Sequence, residues 1–119
     1  MKFTLTKPPT TNHIYGITAR GGFAKMYITK EGKEWFALNE GLIMKQKTRK
    51  TPITSECEIW ITVYTSTKRD ADASTKPIQD AFEHAGVIEN DYLFFGVHAL
   101  REKCKKGEDK VEVEILGYS

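Results

Sequence analysis

The chain has little of what usually staples, anchors or interrupts a protein. Its two cysteines, Cys57 and Cys104, lie far apart with no CxxC spacing, so both read as reduced structural thiols, not a disulfide framework. His13, His84 and His98 form no ligand pattern, which leaves zinc without a site. The longest apolar run is only a few residues, too short to span a bilayer. No apolar run follows the single basic residue of Met1-Lys2-Phe3-Thr4, so no signal peptide is read and the cytosol is the expected compartment. There is no Walker glycine loop, no GxSxG elbow and no cysteine with a partner histidine at a known spacing. Repeats, linkers and low-complexity segments are missing too. Charge of one sign is equally scarce, the net being +2.

What is present describes one folded domain, 1–119. Hydrophobic residues make up 39% and charged residues 29% of 119 positions, enough for one packed core and too few residues for two. The cations fall in clusters: Lys45, Lys47, Arg49 and Lys50; Lys68 and Arg69; Arg101, Lys103, Lys105 and Lys106. Such runs are ordinary solvated faces, or they bind phosphate.

Periodicity predicts the order β-β-α-β-α-β-β, an α+β domain with a mixed β-sheet and two main helices packed on one side. Lys2 to Thr6 alternates, with Phe3 and Leu5 on one face. Pro8-Pro9 then ends that strand. A short edge strand is expected at Lys25 to Thr29. Glu31 to Lys47 has helical spacing, with Trp35, Leu38 and Leu42 as the stripe and Phe36, Ala37 and Ile43 broadening it. Gly41 weakens this helix and is read as a point of close packing. Glu56 to Tyr64 is the clearest strand, Cys57, Ile59, Ile61 and Val63 facing one way, and a central place in the sheet is expected. A second helix starts near Ser74 or Thr75 with Pro77 in its first turn, buries Ile78, Ala81, Phe82 and Ala85, and stops at Gly86. A strand over 91–100 follows, and Val111 to Ile115 is expected to pair with it as a hairpin.

The chemistry gathers around that second helix. Asp70 and Asp72, two residues apart, share a side if their segment is extended. Asp91 joins them if the chain after the helix returns beside their loop. Three carboxylates suit Mg²⁺, a hard ion held by few carboxylates plus substrate phosphate. Lys76 sits in the first helical turn, against the preference of the helix dipole, which is better explained by a phosphate to neutralise. Acids ahead of a helix are also favourable with no metal at all, so spacing alone leaves both readings open. Asp80 and Glu83 read as solvated helix positions.

At these residues the sequence resembles the RusA endodeoxyribonucleases, Holliday-junction resolvases of phages and prophages. The similarity runs from Arg69-Asp70-x-Asp72 through Lys76, Asp80-Ala81 and Ala85-Gly86 to Asp91. It extends to the opening Pro8-Pro9-Thr10-x-Asn12-x-x-Tyr15 and to Glu31-Gly32. The resemblance implies a homodimeric, Mg²⁺-dependent enzyme, with Mn²⁺ as the alternative ion, that nicks two opposed strands of a four-way DNA junction in a bacterial or phage-infected cell. It implies Asp70, Asp72 and Asp91 as metal-binding catalytic carboxylates and Lys76 as the catalytic cation. Two departures stand out: Ala73 where the family commonly has asparagine, and Asn90 where an acid is common. For DNA contacts the order of expectation is Lys68 and Arg69, then Lys25, Lys45, Lys47 and Arg49. The alternatives are a non-catalytic nucleic-acid-binding module and a nuclease for flaps or other branched DNA.

Overall fold

In the computed structural model, residues 1–9, 14–18, 22, 25–67 and 75–119 are described, apart from the side chains of Ile17, Thr18 and Lys25. The elements run β1 (Lys2–Leu5), β2 (Tyr15–Thr18), β3 (Lys25–Ile28), α1 (Lys30–Gln46), β4 (Cys57–Thr65), α2 (Thr75–His84), a 3-10 turn (Asp91–Leu93), β5 (Phe94–Lys103) and β6 (Lys110–Leu116). Four strands form one sheet in the order β1-β6-β4-β5, and β2 and β3 form a separate antiparallel ribbon. The fold is α+β with a mixed sheet: β4 runs parallel to β5 and antiparallel to β6.

Alternation dictates the sheet's two faces. Cys57, Ile59, Ile61 and Val63 are buried, and they join one core with Trp35, Phe36 and Ile43 of α1 and Ile78, Ala81 and Phe82 of α2. An edge-to-face contact of Phe3 with Phe82, 4.8 Å between centroids, ties β1 to α2. Burial alone raises the Cys57 thiol above its ordinary pKa, so it stays protonated and inert.

Three expectations need correction. Residues 111–115 do not form a hairpin with the preceding strand: β6 pairs with β1 and β4, so β4 separates it from β5. The apolar run of β4, lined on both sides by partners, takes the central place, and β5 goes to the edge. The Lys25–Ile28 strand is not at an edge of the main sheet, because it pairs only with β2. In α1, Leu38 is exposed, and the buried line is Gly32, Trp35, Phe36, Asn39 and Ile43. Asn39 is invisible to hydropathy. Its amide accepts from Thr6 N at 2.9 Å and donates to Thr6 Oγ1 and to the Trp35 carbonyl, so its polar atoms are satisfied inside.

The close-packed glycine is also a different one. A Cβ at Gly41 would meet open space, whereas one at Gly32 would sit 2.6 Å from the Ile14 carbonyl oxygen. That same oxygen accepts from Thr29 N at 2.8 Å and from Thr29 Oγ1 at 3.1 Å. Thr29 in turn caps α1 by accepting from Gly32 N. The ribbon is thereby seated on the start of α1, which determines where Tyr15 points.

Candidate active site

The site lies along α2 and the chain that returns beside it. Ile78, Ala81 and Phe82 turn inward, and the 3.6-residue period leaves Lys76, Asp80 and Glu83 together on another side. Beyond α2, Gly86 takes φ +75°, which only glycine adopts freely. Ile53 N–H then bonds the Val87 carbonyl at 2.8 Å, and Glu89 N–H bonds the Ile53 carbonyl at 3.0 Å. Asn90 caps the 3-10 turn by accepting from Tyr92 N at 3.2 Å. This departure from the family pattern therefore performs the N-capping an acid would perform. Ala73, the other departure, lies outside the described residues.

These restraints bring Asp91 back beside α2. One carboxylate oxygen from each of Asp80, Glu83 and Asp91 lies within 4.8 Å of the others, and all three residues are half-buried. Asp80 and Glu83 are thus not merely solvated positions. Asp80 Oδ2 accepts from the Tyr15 hydroxyl at 2.6 Å and pairs with Lys76 Nζ at 3.3 Å. Lys76 Nζ also lies 5.2 Å from the centre of the Tyr15 ring. Burial first, then the hydrogen bond and charge of Asp80, hold the Tyr15 phenol well above its ordinary pKa. Tyr15 therefore remains a protonated donor at neutral pH.

A matching arrangement supports the entrance to the segment that carries Asp70. Lys7 Nζ bonds Asp109 Oδ2 at 2.6 Å and Thr65 Oγ1 at 3.0 Å. Ser66 Oγ bonds Asp109 Oδ1 at 2.9 Å. The end of β4 is held by this group just before the chain proceeds to Asp70.

Carboxylates, a lysine and a buried phenol at one end of a small α+β sheet make a hard-cation and phosphate chemistry the natural reading. The family model for Endodeoxyribonuclease RusA matches residues 6–116. The chain belongs to the RusA endodeoxyribonuclease family. It is similar to the Crossover junction endodeoxyribonuclease RusA of Aquifex aeolicus (strain VF5), with 43% identity over 51 residues. That match takes in 43% of this chain and 40% of the relative's own length.

Of the residues the RusA resemblance selected, the structure brings Lys76 and Asp91 together through Asp80. Asp70, Asp72, Lys68 and Arg69 lie outside the described residues, as do Thr10 and Asn12 of the opening motif; for Lys25 only the backbone, in β3, is described. Lys45 is exposed in the last turn of α1, with Lys47 as its C-cap. The Arg49 guanidinium bonds the Ser119 carbonyl at 2.9 Å and lies over the Tyr118 ring. Among the described residues, no hydrogen bond or ion pair joins Lys45, Lys47 or Arg49 to the carboxylate group.

The sequence reading missed the functional placement of Asp80 and Glu83. A signal was available in their spacing, since Lys76 and Asp80 stand at i, i+4 and Asp80 and Glu83 at i, i+3. What the spacing lacked was the partner: Tyr15 is 65 residues from Asp80 along the chain.

Proposed function

We propose that the chain is a divalent-metal-dependent endodeoxyribonuclease that resolves four-way DNA junctions as a homodimer. Asp70, Asp72 and Asp91 are assigned as carboxylates holding Mg²⁺ or Mn²⁺, and Lys76 as the cation facing the scissile phosphate. The match of the family model across residues 6–116 carries this reading.

The residues present suit such an ion. Around Asp91 the donor set is all carboxylate oxygen, half-buried and within 4.8 Å, as a hard cation requires. A metal bound there would activate water and stabilise the leaving oxygen. The chain's own contribution is positional. Asp80 gives one oxygen to Tyr15 and Lys76, which leaves its other oxygen for the Asp91 side. Lys76 is held by charge at one end and by an aromatic face beneath it. Its ammonium keeps donors free for a phosphate oxygen, because an ammonium has three. A homodimer suits the substrate, since a two-fold junction presents two equivalent phosphates to a two-fold protein.

The deciding experiment is to incubate the protein with labelled four-way, three-way, flap and linear DNA, with and without Mg²⁺. Paired symmetric nicks confined to the four-way substrate and dependent on the metal are expected. Nicking of flaps in preference to junctions would replace the substrate. Salt-dependent binding with no nicking would make the chain a binding module.

A further inference from the structure

The two edges of the main sheet are treated differently. On β1, Thr4 N–H donates to Gln46 Oε1 at 2.8 Å, and Gln46 Nε2 donates back to the Thr4 carbonyl at 2.9 Å. Two residues on, Thr6 N–H donates to Asn39 Oδ1 at 2.9 Å and the Thr6 carbonyl accepts from Trp35 Nε1 at 3.2 Å. Three side chains of α1 thus occupy the outward backbone groups of that edge. An added strand finds nothing there to bond.

The opposite edge is β5, ten residues long, with β4 as its one neighbour in the sheet. Large apolar side chains collect along it. Phe95 is 80% exposed, Val97 43% and Leu100 48%, and Tyr92 just before the strand is 74% exposed. A long strand at an edge with exposed apolar residues is what globular proteins ordinarily avoid unless another strand covers it.

Charge decides which strand. The chain entering β5 is acidic, with Glu89 and Asp91, and the chain leaving it is basic, with Arg101, Lys103, Lys105 and Lys106 against Glu102. A second copy of β5 laid antiparallel sets each acidic entrance against a basic exit. A parallel copy would oppose like charges.

We propose that β5 pairs antiparallel with β5 of a second copy of this chain across a two-fold axis, joining the two sheets edge to edge. Because α1 closes the β1 edge, each chain offers one open edge and assembly stops at two. The pairing sets the basic exit of each chain towards the partner's Asp91 end, so cations near each carboxylate group come from the other chain. This rests on the homodimer of the proposed function and says which surface makes it.

The test is sedimentation equilibrium of the full chain, with thermal unfolding as the folding control. Wild type is expected to be a dimer. Phe95→Lys with Val97→Lys replaces exposed side chains, and the dissociation constant should rise at least about a hundredfold. Lys105→Glu with Lys106→Glu changes exposed positions next to the Gly107 turn, outside the core, and should weaken the dimer about tenfold. Leu116→Lys, exposed on β6, should change nothing. A wild-type monomer at all concentrations would remove the homodimer itself. A wild-type dimer that neither double variant weakens would overturn the β5 pairing and leave the homodimer standing. If the Phe95/Val97 variant fails to fold, the lysine variant decides.

Discussion

Tyr15 donates its hydroxyl to Asp80 Oδ2 at 2.6 Å, and the same oxygen receives Lys76 at 3.3 Å. A strand near the N-terminus and a helix well downstream are thereby joined at one atom. The join has a consequence for Lys76, whose position early in α2 is unfavourable to the helix dipole. Asp80, one turn on, supplies the compensating negative charge, and the Tyr15 ring supplies a face for the cation.

Tyr15→Phe keeps that ring and deletes the hydroxyl. We expect kcat for junction cleavage to fall about tenfold, or ~1.4 kcal/mol in the barrier, with junction affinity unchanged. Single-turnover kinetics beside equilibrium binding would measure the two separately. Lys76→Ala should lose far more of kcat, with at most a modest loss of binding. Wild-type rates in Tyr15→Phe alongside a dead Lys76→Ala would mean that Lys76 needs no help from Tyr15.

Removing a metal-binding carboxylate should separate cleavage from binding. Asp70→Asn and Asp91→Asn are each expected to lower cleavage about a thousandfold, several kcal/mol of transition-state stabilisation. Binding of the four-way junction should hold or tighten, because a negative charge facing phosphates is gone. Gel-shift titrations and cleavage assays on the same preparations check both halves, and normal Mg²⁺-dependent cutting by either variant would refute its assignment.

Two glycines of one helix should respond to alanine with opposite signs. At Gly41 the new methyl meets open space, so Gly41→Ala should raise stability by about 0.5–1 kcal/mol through helix propensity. At Gly32 it meets the Ile14 carbonyl oxygen at 2.6 Å, so Gly32→Ala should lower stability by about 1–3 kcal/mol. Denaturant titrations of both proteins give the comparison. Gly32→Ala should also slow cleavage, since Ile14 precedes Tyr15 and must move.

Acid should weaken the support under the end of β4. The hydrogen bond from Lys7, followed by that from Ser66, holds the Asp109 carboxyl well below the usual carboxylate range. A depressed pKa in the folded state means stability that is present above about pH 4, the ordinary aspartate value, and lost as pH falls below it. Lys7→Met should therefore melt at a lower temperature than wild type between about pH 5 and 8. The gap between the two melting curves should close progressively below about pH 4.

The sequence by itself determined the local elements, because they follow from short-range rules. Alternation marked β1 and β4, the Ile78-Ala81-Phe82 stripe marked α2, and Pro77 and Gly86 marked its two ends. It also supplied the family, through Pro8-Pro9, Arg69-Asp70-x-Asp72, Lys76 and Asp91. Tertiary structure decided what depends on distant partners. Local alternation cannot say which neighbour a strand will choose, so β6 turned out to lie between β1 and β4 and not beside β5. A buried asparagine looks polar until Thr6 and the Trp35 carbonyl satisfy it, so Asn39 was missed while Leu38 was placed in the core. A helix carboxylate looks solvated until a phenol 65 residues away bonds it, and so Asp80 passed for surface. The fold's own contribution to the site is that closure: Gly32 seats the β2 ribbon, the Ile53–Ile88 bridge turns the chain back, and Tyr15, Lys76 and Asp91 meet around Asp80.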